Sequence, residues 1–134
     1  MKTQLQFEFG TLEVHDSYVI AIMKEGVTIS PGHNKVLVKI AEDYFPHKKF
    51  GYISHRINSY SVDPTVYTNT SKIENLVAFA VVSENPLNLS NAHIEKLFLK
   101  KPFRNFKKLR TFQTFLDFFY LLVFSHFFFV FFWI

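Results

Sequence analysis

Apolar and polar positions alternate through Leu5, Phe7 and Phe9 and, after Gly10, through Leu12 and Val14. A period of two predicts a strand, or one long bent hairpin arm, with a single buried face. Asp16 and Ser17 mark a turn. Residues 18–23, YVIAIM, are almost continuously apolar, as in a strand buried on both faces, and they pair in this reading antiparallel with the first strand. The period then changes: Val36, Leu37, Ile40, Ala41, Tyr44 and Phe45 recur at three and four residues, with Lys35, Lys39, Glu42 and Asp43 facing outward. This predicts an amphipathic helix with Ser30 as N-cap, Pro31 in its first turn and Pro46 as its stop.

Residues 50–54, FGYIS, read as a third strand, and Asp63 caps a short helix that Pro64 opens and that runs to about residue 72. Residues 76–82, LVAFAVV, are the most apolar strand and belong at the centre of a sheet. A further helix starts at Asn88 or Ser90, with Ile94, Leu97 and Phe98 as its inward stripe and Pro102 as its end. Phe103 and Phe106 flank a short edge strand, and Leu109, Phe112, Phe115 and Leu116 line a last amphipathic helix. The order β-β-α-β-α-β-α-β-α predicts an α/β fold: a mixed sheet with helices packed on it, one domain over residues 1–116.

Composition narrows the class. The chain has 134 residues, 49% hydrophobic and 19% charged, which suits one core and excludes both a disordered chain and a charge-driven coiled coil. Without cysteine there is no disulfide framework, thiolate nucleophile or cysteine-based metal site. The first ten residues, MKTQLQFEFG, lack the apolar core of a secretory signal, and a cytoplasmic setting is expected.

The net charge of +4 is uneven: residues 1–95 hold eight Lys/Arg and ten Asp/Glu, whereas residues 96–116 hold seven basic residues and no acid. Lys100, Lys101, Arg104, Lys107, Lys108 and Arg110 are thus a candidate membrane-surface patch, the alternative being a solvated helix face. Residues 118–134, FFYLLVFSHFFFVFFWI, carry no formal charge. As a helix they would span roughly 26 Å against a hydrocarbon core near 30 Å. The tail, residues 117–134, reads as a hydrophobic C-terminal helix that tethers the domain to the inner face of the membrane, or as a shifted reading frame of an AT-rich gene, or as a buried helix. Lys outnumbers Arg twelve to three, in keeping with the second.

Chemistry-bearing motifs are sparse. Gly10, Gly26, Gly32 and Gly51 form neither a dinucleotide nor a nucleoside-triphosphate loop, and no nucleophile elbow or zinc-protease motif occurs. The six histidines lie in different elements without ligand spacing, so neither a metal nor a cofactor is expected. One polar concentration stands out: residues 54–63, SHRINSYSVD, directly after the third strand. In an open α/β sheet this is the carboxyl end of a central strand, where the loops 24–30 and 83–88 also emerge and where ligands meet such sheets. His55, Arg56, Asn58, Ser59, Tyr60, Ser61 and Asp63 are the candidate partner-binding residues. Arg56 would hold an anion with the N–H groups near Pro64, Tyr60 offers an aromatic face, and Ser59 and Ser61 offer hydroxyls to a kinase. The alternative is a loop whose polar groups cap and satisfy one another. A catalytic use of His55, Arg56 and Asp63 would require the three to face one cavity.

The order of elements, with YVIAIM, LVAFAVV and FLKKPFRNFKKLRTFQTFL, resembles the SpoIIAA-like branch of the STAS (anti-sigma-factor antagonist) fold over roughly residues 4–116. EGVTISPGHNKVL and YISHRINSYSVDPTVY are similar to small bacterial STAS-like proteins of the flavobacterial type. The resemblance implies a regulatory domain whose switch, in phosphoregulated members, is a serine in an Asp-Ser-Ser/Thr-Gly turn after the third strand. Here that turn is Asn58-Ser59-Tyr60-Ser61-Val62-Asp63, without the motif or its glycine, so Ser59 or Ser61 would have to serve. Phe112 and Phe115 stand where relatives carry an alanine and a tryptophan three residues apart. Together these readings lead to a non-enzymatic regulatory or protein-interaction module that binds a protein partner through the loop after the third strand. The alternative is a domain that binds anionic lipid or a small amphiphile at the cytoplasmic membrane; a nucleic-acid partner is not expected.

Overall fold

A computed structural model describes residues 2–87, 92, 95–110, 114 and 117. Three strands, β1 (Thr3–Phe7), β2 (Gly10–Val14) and β3 (Tyr18–Met23), form an antiparallel meander. Three more, β5 (Phe50–His55), β7 (Leu76–Val82) and β8 (Phe103–Phe106), extend it in parallel, giving the sheet order β1-β2-β3-β5-β7-β8. Two short strands, β4 (Thr28–Ile29) and β6 (Ser61–Val62), pair in parallel beside the sheet, and the helices α1 (Pro31–Tyr44) and α2 (Val66–Thr70) complete the described elements. The chain is α/β with a mixed sheet.

The alternating segment 5–14 is two strands and not one arm. It breaks at Glu8 and Phe9, placing Phe7 opposite Gly10. Gly10 permits a close approach of β2 to β3, because a Cβ there would lie 2.5 Å from the Ile22 carbonyl oxygen and 2.8 Å from Met23 Cα. Phe7 and Phe9 stack across the turn with ring centroids 5.1 Å apart.

Helix α1 starts and stops where its end signals lie. Ser30 is extended at the N-cap, and its N–H donates to His33 Nδ1 at 3.0 Å, so a histidine takes the back-reaching role usually played by glutamate in a capping box. The inner stripe is Asn34, Leu37, Ile40 and Ala41. Tyr44, expected inside, is 41% exposed; Phe45, just past the helix, is buried instead and stacks on Phe50 at 4.5 Å.

The α1 side of the sheet carries the main core, including Leu12, Val19, Met23, Tyr52, Phe79 and Phe103. On the opposite face Ile20, Ile53, Ala78, Ala80 and Val82 form a second cluster against which Leu109 packs. Strands β5 and β7 are therefore buried on both faces, which is why FGYIS and LVAFAVV read as nearly continuous apolar runs.

Between β7 and β8 the expected inward stripe is displaced. Leu97 and Phe98 are 81% and 45% exposed, whereas Ala92 and Leu99 are buried with Glu95 between them at helical spacing. Ile94, Phe112, Phe115, Leu116 and the apolar run 118–134 lie outside the described residues. No helix among the described residues is long and apolar enough to cross a membrane.

Candidate functional site

The loop after the FGYIS strand, now β5, is laced between its neighbours. Gly26 donates its N–H to the Ser59 carbonyl at 2.7 Å, Ser61 to Val27 at 3.0 Å and Asp63 to Ile29 at 2.9 Å. The Asn58 side-chain amide donates to the Met23 carbonyl at 2.9 Å, and the Ser59 N–H to Glu25 Oε2 at 2.8 Å. On the other flank Arg56 donates its N–H to the Val82 carbonyl at 2.8 Å, and Ser83 Oγ to the Arg56 carbonyl at 3.3 Å. The exits of β3, β5 and β7 thus form one end of the sheet, tied into a platform.

Side chains along that loop alternate in and out. Arg56 is 5% exposed: Nη1 donates to Glu95 Oε1 at 2.9 Å, Nη2 to Glu95 Oε2, and Nε to Ser54 Oγ at 3.1 Å. The guanidinium lies 5.1 Å from the Tyr60 ring centroid, and the Tyr60 hydroxyl meets Ser54 Oγ at 2.5 Å. Arg56 is therefore not the open anion holder that its loop position suggests, because Glu95 fills its fork and neutralises it. Burial alone would lower the guanidinium; Tyr60 and Glu95 outweigh it and hold Arg56 above its ordinary value. Burial also pushes up the hydroxyls of Tyr52, Tyr60 and Tyr67, so all three stay protonated at neutral pH.

Beneath this network, between the sheet and α1, lies a cavity of about 50 Å³. Its polar lining is His33, Asn34, Ser54, Arg56, Tyr60 and Thr70, with the phenol-bearing rings of Tyr52 and Tyr67; the rest is apolar.

The other candidates stand apart. By strand alternation His55 points to the opposite face from Ser54, and burial lowers its imidazole while Glu13 opposes the shift. Asp63 closes a turn by accepting from Thr65 N–H at 3.0 Å and Thr65 Oγ1 at 2.8 Å, which keep its carboxyl low. His55 and Arg56 line one surface pocket together with Ile57, Ser83 and Asn85, whereas Asp63 lines neither that pocket nor the cavity under α1. Facing solvent are Ile57, at 64% exposure, Ser59 and Ser61.

The six basic residues do not form one patch. Lys100 N–H donates to Ser71 Oγ at 2.9 Å, and Lys101 Nζ to the Ile73 carbonyl at 2.7 Å, at the amino end of β7. Burial lowers the Lys101 amine. Strand β8 then carries the chain along the sheet, and Lys107 and Lys108 emerge beside Ile57, Ser83 and Asn85 at the carboxyl end. Six residue steps separate Lys101 from Lys107, roughly 20 Å of extended chain. Arg104 and Arg110 are exposed.

Sequence reasoning missed Glu95, Tyr52 and Asn34, and it included Ser54 in the polar segment without naming it as a candidate. Tyr52 and Ser54 share the inward register of β5, and Glu95 sits three residues after buried Ala92 and four before buried Leu99; those spacings were the available signals. No group of three or more His, Asp or Glu among the described residues is placed to hold a metal ion. In comparisons with protein-family models, curated proteins and solved structures, the chain matches none.

Proposed function

We propose that the protein is a non-enzymatic interaction module that engages a protein partner through the loop 55–63, with Ile57, Ser59 and Ser61 as the presented side chains. The observation that carries this reading is Ile57: a large apolar side chain, 64% exposed, on a backbone fixed from both sides by hydrogen bonds. An apolar group held outward on an ordered platform loses little conformational entropy when it is covered. The charged chemistry of the same loop, Arg56 with Glu95, is internal and self-satisfied, which favours a structural use over turnover. The SpoIIAA-like resemblance of residues 4–116 accords with a regulatory role, and a cytoplasmic setting goes with it.

The test is capture by the full chain in wild-type form, as Ile57→Asp, and as Leu97→Asp, a control at an exposed leucine elsewhere. The expected outcome is a saturable partner retained by the control and lost with Ile57→Asp. An identical partner set for all three proteins would refute the loop as the contact surface. The lipid alternative gains nothing from the divided lysines; salt-sensitive binding to anionic vesicles, abolished by Lys107→Gln with Lys108→Gln, would replace this reading with it.

A further inference from the structure

We infer that the cavity between the sheet and α1 is a binding site for a small neutral molecule with a carbonyl oxygen and a short apolar body, its oxygen received by the Asn34 amide, the Tyr52 hydroxyl and the outer N–H groups of Arg56. Three features of the lining lead there.

The first is unused donor capacity on the cavity wall. Asn34 is 5% exposed, and its Oδ1 accepts from Thr70 Oγ1 at 2.7 Å, shorter than the 3.1 Å from that hydroxyl to the Val66 carbonyl. That assigns the Asn34 oxygen to Thr70 and leaves its NH₂ without a hydrogen bond among the described residues. The Tyr52 hydroxyl, on a residue 8% exposed, likewise has none among them. Arg56 carries five N–H groups; Ser54 and Glu95 receive three, and the Tyr60 oxygen lies within reach of another. Among the described residues the one side-chain polar atom sealed from solvent without a partner is Asn105 Oδ1, so these donors are open to the cavity they line, and an acceptor that enters it can take them in place of solvent.

The second is charge. Glu95 already neutralises Arg56, and His33 spends Nδ1 on the Ser30 N–H, so the lining presents dipoles and no uncompensated cation. A carboxylate would enter as an unpaired buried charge, which favours a neutral acceptor such as an amide or ketone. The third is size and wall chemistry. A cavity of about 50 Å³ has room for a few water-sized groups and none for a large ligand. Phe9, Leu12, Met23, Ile29, Leu37 and Val66 would enclose the apolar part. Tyr60 and Val62 also line the cavity and belong to the 55–63 segment, so an occupant would brace that loop from below.

The experiment is titration of the isotope-labelled full chain with propionamide and, separately, with the near-isosteric propionate, followed by amide and side-chain NMR shifts. Saturable propionamide shifts are expected at Asn34, Tyr52, Arg56 and Leu37, weakened about three- to tenfold by Tyr52→Phe and by Asn34→Leu, with no saturation by propionate. Tyr52→Phe removes one oxygen and keeps the ring stack, so it remains informative if Asn34→Leu fails to fold. Absence of saturable shifts, meaning a cavity that holds solvent only, would overturn the inference. Equal affinity for propionate, or affinities unchanged in Tyr52→Phe, would overturn it as well. None of these outcomes bears on whether Ile57 contacts a protein.

Discussion

Arg56 and Glu95 close an ion pair across 39 residues of chain, with Nη1 to Oε1 at 2.9 Å and a second bond between Nη2 and Oε2. Their side chains are 4% and 12% exposed. The pair fastens the segment before β8 to the exit of β5, over the wall of the cavity. A buried pair of this kind costs more to halve than to delete, because one partner alone is an uncompensated buried charge. Glu95→Gln is therefore expected to lower stability by about 3–5 kcal/mol, and Arg56→Met with Glu95→Leu by far less. Urea midpoints of wild type, Glu95→Gln and the double variant decide it; a single variant no worse than the double would mean that the pair is not buried as described.

Which parts of this arrangement a sequence can announce follows from the range of the interactions. Helix α1 was legible from Ser30 to Pro46 because caps and helical periodicity are local. Strands β3, β5 and β7 were legible because burial on both faces leaves a continuous apolar run. The break at Glu8 and Phe9 was marked only by a change of phase, from Leu5 and Phe7 at odd positions to Leu12 and Val14 at even ones, and the turn carries no Asn-Gly or Asp-Gly signal to fix it. Arg56 was correctly placed on its loop and misjudged in its environment. Its partner lies 39 residues away on a segment where Leu97 and Phe98 attract the inward stripe more strongly than Ala92 does. A charged residue pointing inward shows in sequence only once its buried partner is known.

Gly10 and Gly26 should resist substitution for different reasons. At Gly10 an added Cβ meets the backbone of β3 at 2.5 Å, which neither strand can yield without breaking the ladder. At Gly26 nothing lies within 4 Å, but φ is +77°, in the left-handed region. Gly10→Ala is expected to cost about 1–3 kcal/mol through forced backbone shifts, and Gly26→Ala about 1–2 kcal/mol through backbone strain alone. Gly26→Asn should recover part of the second loss, since asparagine tolerates that conformation, whereas Gly10→Asn should be worse than Gly10→Ala. Thermal melts of the four variants test this; recovery by asparagine at position 10 would contradict the close approach.

The protein should lose stability as the pH falls below neutrality, in part through His55. Burial holds its imidazole below the ordinary value, with Glu13 opposing the shift. The unfolded chain therefore takes up a proton near pH 6.5 before the folded chain does. The stabilisation is present above that value and is lost as the pH drops through the folded one. His55→Gln removes this contribution and leaves the other histidines as they were. Unfolding midpoints of both proteins at about pH 7.5, 6.5 and 5.5 should converge toward acid. A variant that loses stability as steeply as wild type would exclude His55 as a source.

Negative charge at Ser59 and at Ser61 should have unequal effects, although both hydroxyl-bearing residues are exposed. The Ser59 N–H donates to Glu25 Oε2 at 2.8 Å, so a carboxylate sits beside that residue already. A phosphate or a glutamate at Ser59 would oppose it, with about 1 kcal/mol of repulsion at 4 Å in water and more where solvent is partly excluded. The loss loosens the hydrogen bonds by which Ser59 and Gly26 join the two loops at the exits of β3 and β5. Ser61 lies in β6, where its N–H is taken by the Val27 carbonyl and no acidic contact to it is present among the described residues. Ser59→Glu is therefore expected to destabilise by about 1 kcal/mol, Ser61→Glu by less than about 0.5 kcal/mol, and Glu25→Gln should reverse most of the first. Chemical denaturation of the three variants, with hydrogen exchange at Gly26 and Ser61, reads both the magnitude and the location. Equal losses at the two serines, or failure of Glu25→Gln to restore Ser59→Glu, would show that Glu25 does not set the electrostatics of this turn.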